Sequence, residues 1–132
     1  MRLTIPYGKD EKQFVHLPEE NFAGTIYPKD VHVGDERSEV RRALEAPVAG
    51  PSLEKFLEGG KDIVFIVNDG TRPTPTCKVL DALSERMDLT KARYLIATGD
   101  HRAPTEDEYR FIFGKHLDKL RSNIHCHDPK KD

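Results

Sequence analysis

The sequence predicts an α/β fold in which a parallel, Rossmann-like βαβ sheet is preceded by a small amino-terminal β-hairpin segment. Three observations carry that expectation. The run Asp62-Ile63-Val64-Phe65-Ile66-Val67-Asn68 is β-branched and aromatic, too apolar for a strand with one wet face, so it reads as buried on both faces as parallel strands are. Behind it, Val79, Leu80, Leu83 and Met87 recur at the three-to-four spacing of a helix face. The order strand, helix, strand, helix, strand then implies right-handed crossovers in one parallel sheet.

Taken in order, residues 2–7 and 13–17 read as two short strands joined across Gly8-Lys9-Asp10, and 21–27 as a third. Asp35 is placed to cap a helix reaching about Ala46, where Pro47 stops it, and Ser52 to cap a shorter helix that Gly59 closes. The apolar strand ends at Asn68 and the turn-rich segment 69–75 leads into a helix over 76–87. A second strand spans 93–97 and a second loop 98–104. Thr105-Glu106-Asp107-Glu108 is a capping box opening a helix through Tyr109, Ile112 and Phe113, and 123–127 is a third strand. Texture changes near Gly59-Gly60. Residues 1–60 are therefore expected to form a hairpin and helical segment packed on the sheet, and 61–132 the βαβαβ part, within one compact domain.

The chain has 132 residues and 15.0 kDa, enough for a domain that buries roughly 68% of its unfolded surface. Its 21 basic and 23 acidic side chains leave a net charge of −2, so nucleic-acid affinity has no obvious electrostatic source. No apolar run approaches the ~20 residues that span a bilayer, and Met1-Arg2-Leu3-Thr4-Ile5-Pro6 lacks a signal peptide's long apolar segment. No membrane partner and a cytoplasmic location are expected. Cys77 and Cys126 make neither a disulfide framework nor a CxxC metal knuckle.

In open parallel sheets, ligands bind beyond the carboxyl ends of the strands, where loops and helix amino termini converge. The first loop carries Asp69, Thr71 and Arg72, and the second Thr98, Asp100, His101 and Arg102. Neighbouring strands would set these loops about 4.8 Å apart, and one intervening strand about 10 Å. Arg72 offers a planar fork of donors for a carboxylate or phosphate, and helix amino termini after both loops add positive charge, which favours an anion. Histidine is the side chain that exchanges protons near neutrality, which makes His101 the candidate acid–base group. Asp69 can orient that imidazole, hold Arg72 or accept a ligand's hydroxyl proton. The plain alternatives are that Asp69 and Thr71 cap the next helix and that Arg72 makes a surface ion pair. Neither loop matches a Walker lysine loop or the GxGxxG fingerprint. At the far end, His125 and His127 fall on one face of the expected strand. They can bind a metal through imidazole nitrogens or simply be solvated, while Cys126 points oppositely, toward the core. Cys77 reads as packing.

Val67-Asn68-Asp69-Gly70-Thr71-Arg72-Pro73-Thr74-Pro75 and Ala97-Thr98-Gly99-Asp100-His101-Arg102 resemble the DxTRPxP and ATGxHR signatures of the nickel-dependent lactate racemase family. Ile5-Pro6-Tyr7-Gly8-Lys9 and Glu20-Asn21-Phe22-Ala23-Gly24 resemble that family's opening segment, so the likeness covers nearly the whole chain. It implies a racemase or epimerase of small-molecule 2-hydroxy acids that uses a nickel-pincer nucleotide. In the family, a histidine takes the hydroxyl proton while hydride passes to that cofactor, leaving a 2-keto acid that can receive hydride on either face. By motif position, His101 matches one of two proton-transfer histidines, Arg72 the arginine near the substrate, and Asp69 the acidic residue of the same loop, at the catalytic and cofactor-binding edge. Thr71 matches a loop-shaping or cofactor-phosphate position. The family's second proton-transfer histidine, its cofactor-bearing lysine and a nickel-binding histidine belong to a downstream HFFAGFSGGRKSVLPG-like region that nothing here matches. His125 and His127 fall short of it, and no residue of this chain is assigned to metal. The expectation is an amino-terminal portion, inactive alone, whose partner is the missing carboxyl-terminal region of the same protein. An anion- or nucleotide-binding module without chemistry is the alternative.

Overall fold

The structure, a computed structural model, describes residues 1–32, 34–60 and 62–131. The chain divides into two units, Met1–His32 and Val33–Asp132. In the first, β1 (Arg2–Tyr7) and β2 (Glu11–His16) pair antiparallel, from Arg2 opposite His16 to Tyr7 opposite Glu11. The Leu17 amide donates to the Met1 carbonyl at 3.1 Å, and the Arg2 guanidinium lies 3.7 Å above the Phe14 ring.

The expected third strand at 21–27 does not form. Glu19–Asn21 is a 3₁₀ turn in which the Phe22 amide bonds back to Glu19, and the residues after it have no regular structure. Ile26 and Tyr27 stand in solvent, so no apolar burial there offsets the cost of ordering a strand.

The second unit holds a three-stranded parallel sheet in the order β3 (Ile63–Asn68), β4 (Ala92–Ala97), β5 (Ile124–Cys126). The predicted α/β fold with a parallel sheet and a preceding hairpin is the observed one. The change of texture at Gly59-Gly60 lies inside this unit, because α1 (Glu36–Glu45) and α2 (Leu53–Gly59) belong with the sheet. Asp35 and Ser52 cap them, each accepting from the amide three residues on. Arg86 reaches Glu45 of α1 and Glu54 of α2, and Glu85 accepts from Arg37 and Arg41, while Leu44 and Leu53 pack against the core.

After β3 comes α3 (Thr76–Leu83), shorter than the expected 76–87. Ser84 Oγ donates to the Asp81 carbonyl at 2.7 Å, a local bond that competes with the helix, and single turns carry the chain to Met87. α4 (Glu106–Phe113) opens on the predicted capping box, with both reciprocal bonds between Thr105 and Glu108 present. α5 (Leu117–Leu120) precedes β5.

The core gathers on one face of the sheet, where Val67, Tyr94 and Ile96 meet Leu80, Leu83, Ile112, Phe113, Leu117 and Leu120. The Tyr94 ring is stacked on Phe65 at 5.4 Å and meets Phe113 edge-on at 5.7 Å. Its hydroxyl donates to the Leu89 carbonyl, and burial pushes that phenol up to about 12. The other face corrects the expectation that the apolar strand is buried on both sides, since Val64 is 47% and Ile66 72% exposed. No helix among the described residues is long and apolar enough to cross a membrane.

Candidate functional site

Asn68 and Ala97 are register partners at the ends of adjacent strands, so loops 69–75 and 98–104 leave the sheet side by side. Of the two spacings the sequence allowed, the structure has the shorter. The Asn68 side-chain amide donates to Thr74 Oγ1 at 2.5 Å and draws the first loop into a closed turn. In the second loop, the His101 amide donates to the Thr98 carbonyl at 3.0 Å across Gly99, whose φ of 57° is a conformation that a Cβ disfavours. Thr98 is buried, and its hydroxyl donates to the His127 carbonyl at 2.9 Å, which clips the third strand's end to the same loop.

These turns bring Asp69, Thr71 and His101 into direct contact. Asp69 is only 5% exposed. Its Oδ1 accepts from the Thr71 amide at 3.1 Å and the Thr71 hydroxyl at 2.7 Å, and its Oδ2 lies 2.6 Å from His101 Nδ1. An ionised carboxylate can only accept, so Nδ1 carries the proton in this pair. Nε2 is then the imidazole nitrogen left to take one. The capping alternative for Asp69 and Thr71 does not hold, because α3 begins after Pro75 without a side-chain cap.

Burial pushes the Asp69 carboxyl up, but the hydrogen bonds from Thr71 and His101 outweigh it and hold the group below its ordinary value. A depressed carboxyl stabilises the fold above its unfolded pKa, about 3.9, and that contribution is lost as pH falls through the lower folded value. Wild-type protein should therefore lose more resistance to urea between about pH 6 and about pH 3 than Asp69→Asn does. Equal losses would place the acid sensitivity elsewhere.

Arg72 is exposed and lines the same cleft of about 360 Å³ as Asp69, Thr98 and His101, with no ion pair to a carboxylate among the described residues. Arg102 is turned to other work, since both its terminal nitrogens donate to the Glu108 carboxylate. The positive helix ends expected after both loops reduce to one. α4 is closed by Thr105 and carries Glu106, Asp107 and Glu108 in its first turn, which cancels its dipole, while α3 has no acid in its first turn. A larger concavity between α1 and α3 is lined by Lys78, Glu36, Arg37 and Glu85, whose charges are already paired with one another.

His125 is exposed on β5, His127 is half-buried beyond it, and no group of three or more His, Cys, Asp or Glu among the described residues is placed to hold a metal ion. Cys77 and Cys126 are both half-buried.

Residues 7–132 match the family described as the lactate racemase N-terminal domain. The chain belongs to that family. It is 37% identical over 123 residues to a lactate racemase of Thermoanaerobacterium thermosaccharolyticum and 29% identical over 122 residues to one of Lactiplantibacillus plantarum. Each alignment covers 87% of this chain and 28% of the relative, so the chain spans little more than a quarter of those proteins. In this lactate racemase N-terminal domain, the structure gathers the sequence-predicted Asp69, Thr71, Arg72 and His101 at the two loops, beside Glu108, which the sequence did not single out for the site, and His127, which it offered only as a metal ligand. Glu108 was visible only as half of a capping box, and its contact with the first loop follows from tertiary packing.

Proposed function

We propose that this chain is the amino-terminal part of a nickel-pincer-dependent racemase of lactate-type 2-hydroxy acids. The hydrogen bond between Asp69 and His101, made across two adjacent strand ends beside Arg72, which has no ion pair among the described residues, carries the reading. Arg72 binds the substrate carboxylate through its planar fork. The substrate hydroxyl then faces His101, whose Nε2 takes its proton as general base while Asp69 fixes the ring and stabilises the imidazolium that forms. Thr71 holds Asp69 at the angle this requires.

Removing the Cα hydrogen as a proton would place a carbanion next to an anionic carboxylate, so the hydrogen leaves with its electron pair. A bound nickel-pincer nucleotide supplies the two-electron acceptor for it. Arg72 and the acid-free start of α3 fit the anionic part of such a group, with Thr71 and Asp69, already bonded to each other, at its edge, and among the described residues no group of three or more His, Cys, Asp or Glu is placed to hold a metal ion. Loss of that hydride together with proton transfer to His101 would give the planar 2-keto acid, and return of a hydride to either face, with the proton going back from His101 to the same oxygen, would restore the alcohol in either configuration.

On this reading the isolated chain binds the 2-hydroxy acid but does not racemise it, because the hydride acceptor and the remaining groups belong to the carboxyl-terminal region. Chiral chromatography of lactate incubated with the full-length, cofactor-loaded protein tests it. Each pure enantiomer should drift to an equal mixture, and the 132-residue chain should give no conversion. Unchanged enantiomers of lactate and of other 2-hydroxy acids with the full-length protein would overturn it.

A further inference from the structure

One contact ties the two loops together and has no part in the chemistry above. The Glu108 side chain is packed so closely under Gly70 that a Cβ at residue 70 would fall 2.5 Å from both its Cβ and its Cγ. Its two carboxylate oxygens accept from Arg102 at 2.7 and 2.9 Å, and one also accepts from the Thr105 amide at 2.7 Å. Gly70 follows Asp69 directly, and Arg102 follows His101 directly. A single side chain therefore grips the neighbour of each member of the pair, from a helix start that the capping box fixes.

We propose that Glu108 is the positioning residue that sets the Asp69–His101 distance, with Gly70 kept bare to admit it and Arg102 as its handle on the second loop. The inference deepens the reading of this site and rests on it for its catalytic meaning. Its physical content is the geometry of the pair alone. Loop ends that carry two reacting groups must be held to a fraction of an ångström, and a site supported by a helix terminus is steadier than two free loops. The Glu108 carboxyl, held down to about 2 chiefly by Arg102, stays ionised throughout the working range.

The test reads the tautomer of His101 by nitrogen-15 NMR of the 132-residue chain at about pH 8, above the ordinary histidine range. With the pair intact, the proton sits on Nδ1. Glu108→Gln keeps an acceptor for the Thr105 amide but loses the charged grip on Arg102, and should shift the Nδ1–H to Nε2–H ratio by about tenfold or more toward Nε2–H. Gly70→Ala, which keeps the carboxylate but displaces it, should shift the ratio the same way. Arg110→Ala removes the ion pair to Glu106 on the same helix without a contact to Glu108 or either loop, and should leave the ratio within about twofold. A wild-type ratio in Glu108→Gln, or an equal shift in Arg110→Ala, would overturn the proposal. No substrate or cofactor is present, so a failure of the racemase reading leaves this result untouched.

Discussion

His101→Ala in the full-length, cofactor-loaded protein should lower kcat/KM for lactate by about 10²–10⁴-fold, the usual worth of a positioned acid–base group. Asp69→Asn should cost as much, by a different route. The asparagine amide presents an N–H where the carboxylate accepted one, so Nδ1 must give up its proton and Nε2 takes it. The nitrogen facing the substrate is then no longer a base, and where the same substitution flips a catalytic imidazole the loss is about 10⁴-fold. Both losses should fall on kcat, because neither side chain holds the carboxylate. Arg72→Ala should instead raise KM, and steady-state kinetics on the three variants separates these effects.

Phe113→Ala should have the largest effect on the fold, about 3–5 kcal/mol. The ring is fully buried at the end of α4 and meets the Tyr94 ring edge-on, with Leu80, Ile112 and Leu117 in the same cluster. Truncating it leaves a cavity between helix and sheet and removes the aromatic pair, while small domains have only about 5–15 kcal/mol in total. Urea unfolding followed by tyrosine fluorescence should show the midpoint falling sharply with little change in slope. A loss under about 1 kcal/mol would mean that the site collapses around the vacancy.

Much of the second unit was legible because its signals are local. An uninterrupted β-branched strand, a capping box and two loops at strand ends each announce themselves within ten residues, and β3, α4 and the Asp69, Arg72 and His101 positions followed. The false third strand at 21–27 failed because its apolar residues had no partner surface, as the exposure of Ile26 and Tyr27 makes plain. The apolar run misled about burial for a related reason. Val64 and Ile66 are as hydrophobic as Phe65 and Val67, and only tertiary placement decides which pair is covered. Glu108 under Gly70 was beyond reach because the two residues are far apart in sequence and meet only when both loops are in place.

The most direct measurement is a double-mutant cycle on lactate racemisation with wild type, Asp69→Asn, His101→Ala and the double variant. If Asp69 acts through the His101 imidazole, the double variant should be no slower than His101→Ala within about threefold, since residues that work as a unit are strongly non-additive. Losses that multiply would mean that the 2.6 Å contact between them is not part of the catalytic machinery.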